Sequence, residues 1–233
     1  MKSAPISVTI DGPAGVGKST VGRRVARELQ LAFLDTGLLY RALALVAAER
    51  AVGPEGAAEL VRGLDLAVNL DPRAPEGAWR ARIGGRDLGA ELWAPGNAVL
   101  LARIAAEPAV RAALLPLQRR LGGAGVVAVG RDAGSTVLPH AEVKVYLDAP
   151  FEVRMERRRS ELERLGLASA EVAVREDLAE RDHRDRSREA APLAIPEGAM
   201  VIDTAPIDAE EVARLILRRC HELGVETSTS RPT

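Results

Sequence analysis

Near its N-terminus the chain reads Gly12-Pro13-Ala14-Gly15-Val16-Gly17-Lys18-Ser19. This is the G-x-x-x-x-G-K-[ST] spacing of a phosphate-binding loop. The pattern needs a strand before it and a helix after it, and both are legible. Ile6-Ser7-Val8-Thr9-Ile10 alternates with β-branched residues, as a strand does. Lys18 to Leu29 is amphipathic, with Val21, Val25 and Leu29 on one face. Glycines let successive backbone N–H groups curl around phosphate oxygens without Cβ clashes. Lys18 can reach the β/γ-phosphates, the Ser19 hydroxyl can ligate Mg²⁺, and the helix start adds its positive dipole end.

The lysine in that loop stands out against its background. Only Lys2, Lys18 and Lys144 are lysine, and all other basic residues are arginine. A lysine in this slot suits a need for a compact point charge on a thin stem.

The rest of the chain alternates strands with helices. Leu31 to Asp35 reads as a strand, and Thr36 as the cap of a helix running to about Arg50. Ala51 to Gly56 reads as turns. Leu64 to Leu70 and Trp79 to Ile83 alternate, with a break at Asp71 to Gly77 and a stop at Gly84-Gly85, which predicts a small antiparallel unit. Helices are expected over Asn97–Ala106, Pro108–Leu121, Pro150–Leu165 and Ala170–Arg188. Val126 to Val129 and Val143 to Leu147 are continuous apolar runs, as buried parallel strands are. Met200 to Asp203 is the last strand, and Asp208-Ala209-Glu210-Glu211 resembles a capping box for a helix to Leu223. The fold class is therefore α/β with a parallel sheet.

Composition excludes several functions. The 233 residues suit one α/β domain with insertions, and 47% of them are apolar, enough for a full core. A net charge of -1 offers no field to recruit nucleic acid, and 3% aromatics offer few stacking platforms. The single cysteine, Cys220, rules out an internal disulfide framework, fits a reducing compartment and reads as a buried, incidental thiol. No apolar run approaches roughly 18 residues, and the first residues lack a signal-peptide pattern. No membrane or nucleic-acid partner is expected, and the location expected is cytoplasmic. The tail from Thr227 to Thr233 is Ser/Thr/Pro-rich and is expected to fray.

Ligands of open parallel sheets sit beyond the carboxyl ends of the strands. Besides the phosphate loop, those ends carry Asp35-Thr36-Gly37 with Tyr40-Arg41, Gly130-Arg131-Asp132-Ala133-Gly134, Asp148, and Asp203-Thr204. Farther on, positions 181, 184, 185 and 188 share one helical face. That face is either a solvated charged surface or a clamp for phosphate, which arginine grips bidentately.

In these residues the chain resembles the bacterial cytidylate kinases, of the nucleoside monophosphate kinase group in the P-loop NTPase superfamily. The resemblance rests on Ile10 to Thr20, Leu34-Asp35-Thr36-Gly37 with Tyr40-Arg41, Pro108 with Val110-Arg111, Gly130-Arg131-Asp132, and Arg181 to Arg188 followed by Ala191-Pro192-Leu193. It covers Ile6 to about Leu223. It implies a single P-loop kinase domain over residues 1–224, with a monophosphate-binding insert at about 63–106, a helical lid at about 155–188 and a flexible tail over 225–233. It implies phosphorylation of CMP or dCMP by ATP with Mg²⁺, in a monomer. By the same resemblance Gly12, Pro13, Ala14, Gly15, Val16, Gly17, Lys18, Ser19 and Thr20 bind ATP, with Ser19 on the metal. Thr36, Arg41, Arg111, Arg131, Asp132, Arg181, Asp185 and Arg188 bind CMP. Lys18, Arg131, Arg181 and Arg188 act in catalysis. Three departures stand in the chain: Ala102 where the family usually has Ser, Leu92-Trp93 where Ile-Arg is usual, and Ser135 to His140 where Thr-Val-Val-Phe-Pro-Asp is usual.

The cytosine assignment has a physical basis. Cytosine offers an N4–H₂ donor, which a carboxylate such as Asp132 accepts. Its O2 and N3 accept from a guanidinium such as Arg111, whereas uracil sets an acceptor against Asp132. Asp132 could also serve Mg²⁺ or the strand end itself. The alternatives are another monophosphate kinase of UMP/CMP type, a kinase for AMP or a non-nucleotide alcohol, and a non-catalytic nucleotide-binding switch. A GTP switch would want an Asn/Thr-Lys-x-Asp motif, which the sequence lacks.

Overall fold

Short strands that are β-branched or apolar throughout suit a sheet covered on both faces. The computed structural model describes residues 6–68, 71–73, 81–93, 95–123, 125–164 and 171–224. Its first half runs β1 (Val8–Asp11), α1 (Lys18–Leu29), β2 (Ala32–Asp35), α2 (Thr36–Glu49), α3 (Pro54–Gly63), β3 (Leu66–Val68), β4 (Ala81–Ile83) and β5 (Arg86–Leu88). The second half runs α4 (Ala98–Ala106), α5 (Pro108–Gly122), β6 (Val126–Gly130), β7 (Val143–Asp148), α6 (Phe151–Arg164), α7 (Glu171–Ser187), β8 (Met200–Asp203) and α8 (Ala209–Glu222).

The large sheet has the order β2-β6-β1-β7-β8, and every pairing in it is parallel. Ile10 in the central strand is level with Val129 on one side and Val145 on the other. The chain leaves β1 toward the β2 edge, and after β6 it steps across β1 to β7 and β8. The carboxyl end of β1 thus lies where the winding changes direction, the crevice in which such sheets hold ligands.

Both faces are packed. On one, Val21, Val25, Ala26 and Leu29 of α1 meet Val212, Ala213, Ile216 and Cys220 of α8 over the strands. Helix α1 comes so close that a Cβ on Gly22 would sit 2.6 Å from Val129 Cγ1. Cys220 is fully buried in this layer, and burial pushes its thiol up to about 11, so it packs as a small apolar residue. On the other, Leu34, Val126 and Ala128 of the strands pack with Ala133, Leu121 and Leu138, and α2, α3, the small sheet, α4 and α5 build a second core around Leu39, Leu43, Leu88, Ile104 and Leu114. Among the described residues no helix is long and apolar enough to cross a membrane.

The structure departs from the sequence expectations at several points. The stretch after Ala51, read as turns, enters α3 at Pro54, which occupies the first turn of the helix, where a missing N–H costs nothing. The antiparallel unit has a third strand. Gly84 and Gly85, both with positive φ, form a two-residue turn that returns the chain as β5, level with β4 at Ile83 and Arg86. Asp35 rather than Thr36 caps α2, its carboxylate accepting from Gly37 N–H at 3.0 Å. At the last helix Asp208 accepts from the N–H groups of Glu210 and Glu211, while Glu211 turns to Arg214, so half of the capping box forms. The expected break over 74–77, the strand start at Trp79-Arg80, the link between α6 and α7, and the tail lie outside the described residues.

Candidate active site

The loop between β1 and α1 is shaped by its glycines. Gly12 has φ +148, and a Cβ there would fall 2.2 Å from the Leu147 carbonyl oxygen, so no side chain fits. Gly17 caps α1 in the left-handed conformation, without a side-chain bond to the first turn. The leading N–H groups of α1 therefore have no side-chain cap, which makes the helix start an anion cradle. Lys18 Nζ donates to the Pro13 carbonyl of the same loop at 2.5 Å. Burial, and then the nearby Arg131 charge, hold its ammonium well below the ordinary lysine range. An anion in the loop opposes both effects, because its charge favours the ammonium form.

Ser19 donates its hydroxyl to Asp35 Oδ2 at 2.9 Å. Hydroxyl and carboxylate are hard oxygen donors of the kind Mg²⁺ takes, so this corner fits a metal ion carried in with a nucleotide.

Beyond β6 the chain makes a π-helical turn, Ala133–Val137. Such turns are uncommon and often occur at functional sites. Asp11, at the end of β1, holds it in place. The Asp11 carboxylate is fully buried and accepts from Ala133 N–H and Gly134 N–H, each at 2.7 Å. Burial raises its carboxyl to about 6, although those two bonds oppose the rise. A Cβ on Gly134 would meet Thr9 Oγ1 at 2.6 Å, so the turn sits directly on β1.

The residues expected to hold an acceptor nucleotide converge beside this turn. Arg111 Nη2 meets Asp132 Oδ2 at 2.5 Å, while its Nη1 donates to the Ala105 carbonyl. The Arg111 guanidinium lies 5.5 Å above the Tyr40 ring, and its buried Nε has no partner among the described residues. Arg188 reaches Asp132 Oδ1 and Asp185 Oδ1, each at 3.5 Å, and fixes its Nε on the Ala191 carbonyl. Arg131 Nε meets Asp185 Oδ2 at 2.7 Å. Burial alone would raise the Asp185 carboxyl, but the Arg131 and Arg188 charges overcome it and hold the group below its ordinary value.

Arg41 stacks 4.1 Å over the Trp93 ring. Burial, and then the Arg181 charge, lower it to about 10. Arg181 is lowered by burial and by Arg131. Arg41, Arg131, Arg158 and Arg181 thus repel one another around a space that a phosphate would neutralise. Arg184, expected on the same face, turns instead to the carbonyl and carboxylate of Glu180. The Thr36 hydroxyl is committed to the fold and donates to the Val129 carbonyl at 3.0 Å. Sequence reasoning did not assign roles to Asp11, Asp35 or Arg158. The first two end β1 and β2, a signal that was available. Arg158 lies in an arginine-dense helix that does not set it apart.

A family model described as cytidylate kinase matches residues 8–222. The chain belongs to the cytidylate kinase family. It therefore has the α/β P-loop NTPase fold that its sheet order and phosphate loop display. Among curated relatives of the family, a cytidylate kinase of Methylococcus capsulatus is 43% identical over 214 residues, covering 90% of this chain and 94% of the relative. One of Pelotomaculum thermopropionicum is 40% identical over 221 residues, covering 94% and 97%. A solved shikimate kinase from Acinetobacter baumannii, in complex with shikimate, is similar over 95% of this chain and 96% of its own, at 19% identity and a TM-score of 0.46.

Proposed function

We propose that this cleft transfers the γ-phosphoryl group of ATP to CMP or dCMP, giving ADP and CDP or dCDP. The observation that carries the reading is the Arg111–Asp132 pair, buried at the acceptor end of the cleft, with one guanidinium N–H that has no partner among the described residues. A carboxylate beside a free guanidinium donor matches the N4–H₂ donor and the O2 and N3 acceptors of cytosine.

The acceptor's phosphate is already largely ionised at neutral pH, so no general base is needed. One of its oxygens attacks the γ-phosphorus in line, and the bond from that phosphorus to the β-bridging oxygen breaks as ADP leaves. Charge spreads over the equatorial oxygens of a loose transition state, so catalysis consists of alignment and charge stabilisation. Lys18 and the N–H groups of Ala14 to Thr20 hold the donor phosphates. Arg41, Arg131 and Arg188 cradle the acceptor phosphate, and Arg181 reaches the group in flight. Asp185 orients Arg131 and accepts from a ribose hydroxyl. When bound, Mg²⁺ neutralises phosphate charge, and Ser19 with Asp35 are the residues suited to hold it. The small sheet with α4 acts as the monophosphate-binding insert, and α6 with α7 as a lid that excludes water. The working unit proposed is a monomer.

The test is ADP release coupled to product identification over CMP, dCMP, UMP, AMP and GMP. CDP or dCDP is expected as the main product. ADP formed at the same rate with no acceptor present would overturn the reading.

A further inference from the structure

Helix α6 is dense in arginine, and its neighbours show what the sequence would lead one to expect. Arg158, half-buried beside the site, pairs with Glu161, and Arg159 pairs with Glu156 and Glu163 on the surface. Arg154 does not follow them. Its side chain is 4% exposed and forms a three-way junction. Nε donates to the Ala149 carbonyl, where β7 passes into α6. Nη1 donates to the Ala14 carbonyl of the phosphate loop at 3.2 Å. The same nitrogen meets Asp182 Oδ2 of α7 at 2.7 Å. Asp182 is equally buried, and its Oδ1 has no partner among the described residues.

The loop and the lid base also touch directly. A Cβ on Gly15 would lie 3.0 Å from the Arg154 carbonyl oxygen. Ala14 packs with Met155, Val174 and Leu178 in a small apolar cluster. Such packing is non-directional. It presses α7 against the loop without fixing how far the helix is turned. The ion pair fixes that, because guanidinium and carboxylate have a defined mutual geometry. Arg181 and Asp185 flank Asp182 on the adjacent face, and Asp185 holds Arg131 beside Lys18.

We propose that Arg154 and Asp182 are positioning residues for phosphoryl transfer: they lock α7 to the phosphate loop so that Arg181 meets the transferred group, and Asp185 holds Arg131, in register with the donor phosphates. The proposal rests on the transfer reading above. Net stability is a poor explanation for the pair, since a well-packed apolar pair of similar volume commonly does as well or better. Alignment is a better one, because a misplacement of about 1 Å at the reacting groups costs roughly 10²-fold in rate.

The test compares the unaltered protein with the double variant Arg154→Met/Asp182→Leu, which leaves no unpaired buried charge. A second variant, Asp182→Asn, keeps the packing volume. Three readouts are taken: kcat against KM for each substrate, the ratio of ADP released to CDP formed, and hydrogen exchange of the α7 amides with and without a non-hydrolysable ATP analogue. The double variant should keep both KM values within about threefold, lose about tenfold to 10²-fold in kcat, and release more ADP than CDP because water reaches the transferred group. Nucleotide should protect α7 amides in the unaltered protein and not in the variants. Wild-type kcat, a ratio of one and undiminished protection of α7 would overturn the proposal. If the unaltered protein makes no CDP, the acceptor reading fails, and the exchange data still decide the role of the pair.

Discussion

Arg111 and Asp132 meet at 2.5 Å, both almost closed off from solvent, and among the described residues one buried N–H of Arg111 has no partner. An arrangement built only for stability would spend that donor. Exchanging the carboxylate for an amide tests its use. Asp132→Asn can turn its NH₂ toward a base, which suits the O4 acceptor of uracil and repels the N4–H₂ of cytosine. We expect KM for CMP to rise roughly 10- to 100-fold, KM for ATP to stay level, and UMP to become a measurable acceptor. Steady-state kinetics with each nucleotide decides it. Equal rises for CMP and ATP would remove Asp132 as the base reader.

Much of this arrangement is legible in the sequence, and the exceptions have physical causes. Apart from Lys144 in β7, each strand of the large sheet is a short β-branched or apolar run, and its carboxyl end is where polar residues gather, so Asp35, Arg131 and Asp132 could be read as neighbours. Helix α3 was hidden because Pro54 and Gly56 are turn residues, although Pro also opens helices. The Arg154–Asp182 pair was hidden because its members lie on separate helices that both carry many other charges, so nothing in the sequence joins these two. Arg184 shares a helical face with Arg181 by periodicity, yet the Glu180 carboxylate one turn back draws it aside. Periodicity gives the face of a side chain, and only packing gives its partner.

Asp35 is bonded at both oxygens, to Ser19 and to Gly37 N–H. Asparagine caps helices as well as aspartate does, so Asp35→Asn should fold normally. What it loses is the negative charge next to Ser19. The Mg²⁺ concentration for half-maximal activity should rise about 10-fold or more, as happens when a partner behind a metal ligand is removed, and chelation should abolish activity in both proteins. A magnesium titration at saturating ATP and CMP measures this. An unchanged midpoint would detach Asp35 from the metal.

Trp93 stands where the resemblance leads one to expect arginine, and it covers the Arg41 guanidinium at 4.1 Å. At a part-exposed position such a contact contributes about 0.5–1 kcal/mol. Trp93→Ala should therefore raise KM for CMP about two- to fivefold with kcat little changed, and Trp93→Phe should recover most of the loss. Arg41→Ala should cost far more, because it removes a charge from the phosphate cradle. If Trp93→Ala leaves KM untouched, the ring does not hold Arg41 for its ligand.

Asp11 gives a prediction that depends on pH. Burial raises its carboxyl from the ordinary 3.8 to about 6. Between those values the folded protein keeps a proton that the unfolded chain has already released. The contribution of Asp11 to stability is therefore fully present below 3.8, and it is lost as pH rises through about 6. Asp11→Asn carries no such titration and is destabilised at every pH, since its NH₂ cannot accept from Ala133 or Gly134. The comparison therefore rests on the trend. The stability advantage of the unaltered protein over Asp11→Asn should shrink by on the order of 1 kcal/mol between pH 5 and pH 7. Urea unfolding of both proteins at pH 5, 6 and 7 measures it, and an advantage that grows with pH would mean that the carboxylate is charged and fully satisfied where it bridges β1 and the turn bearing Asp132.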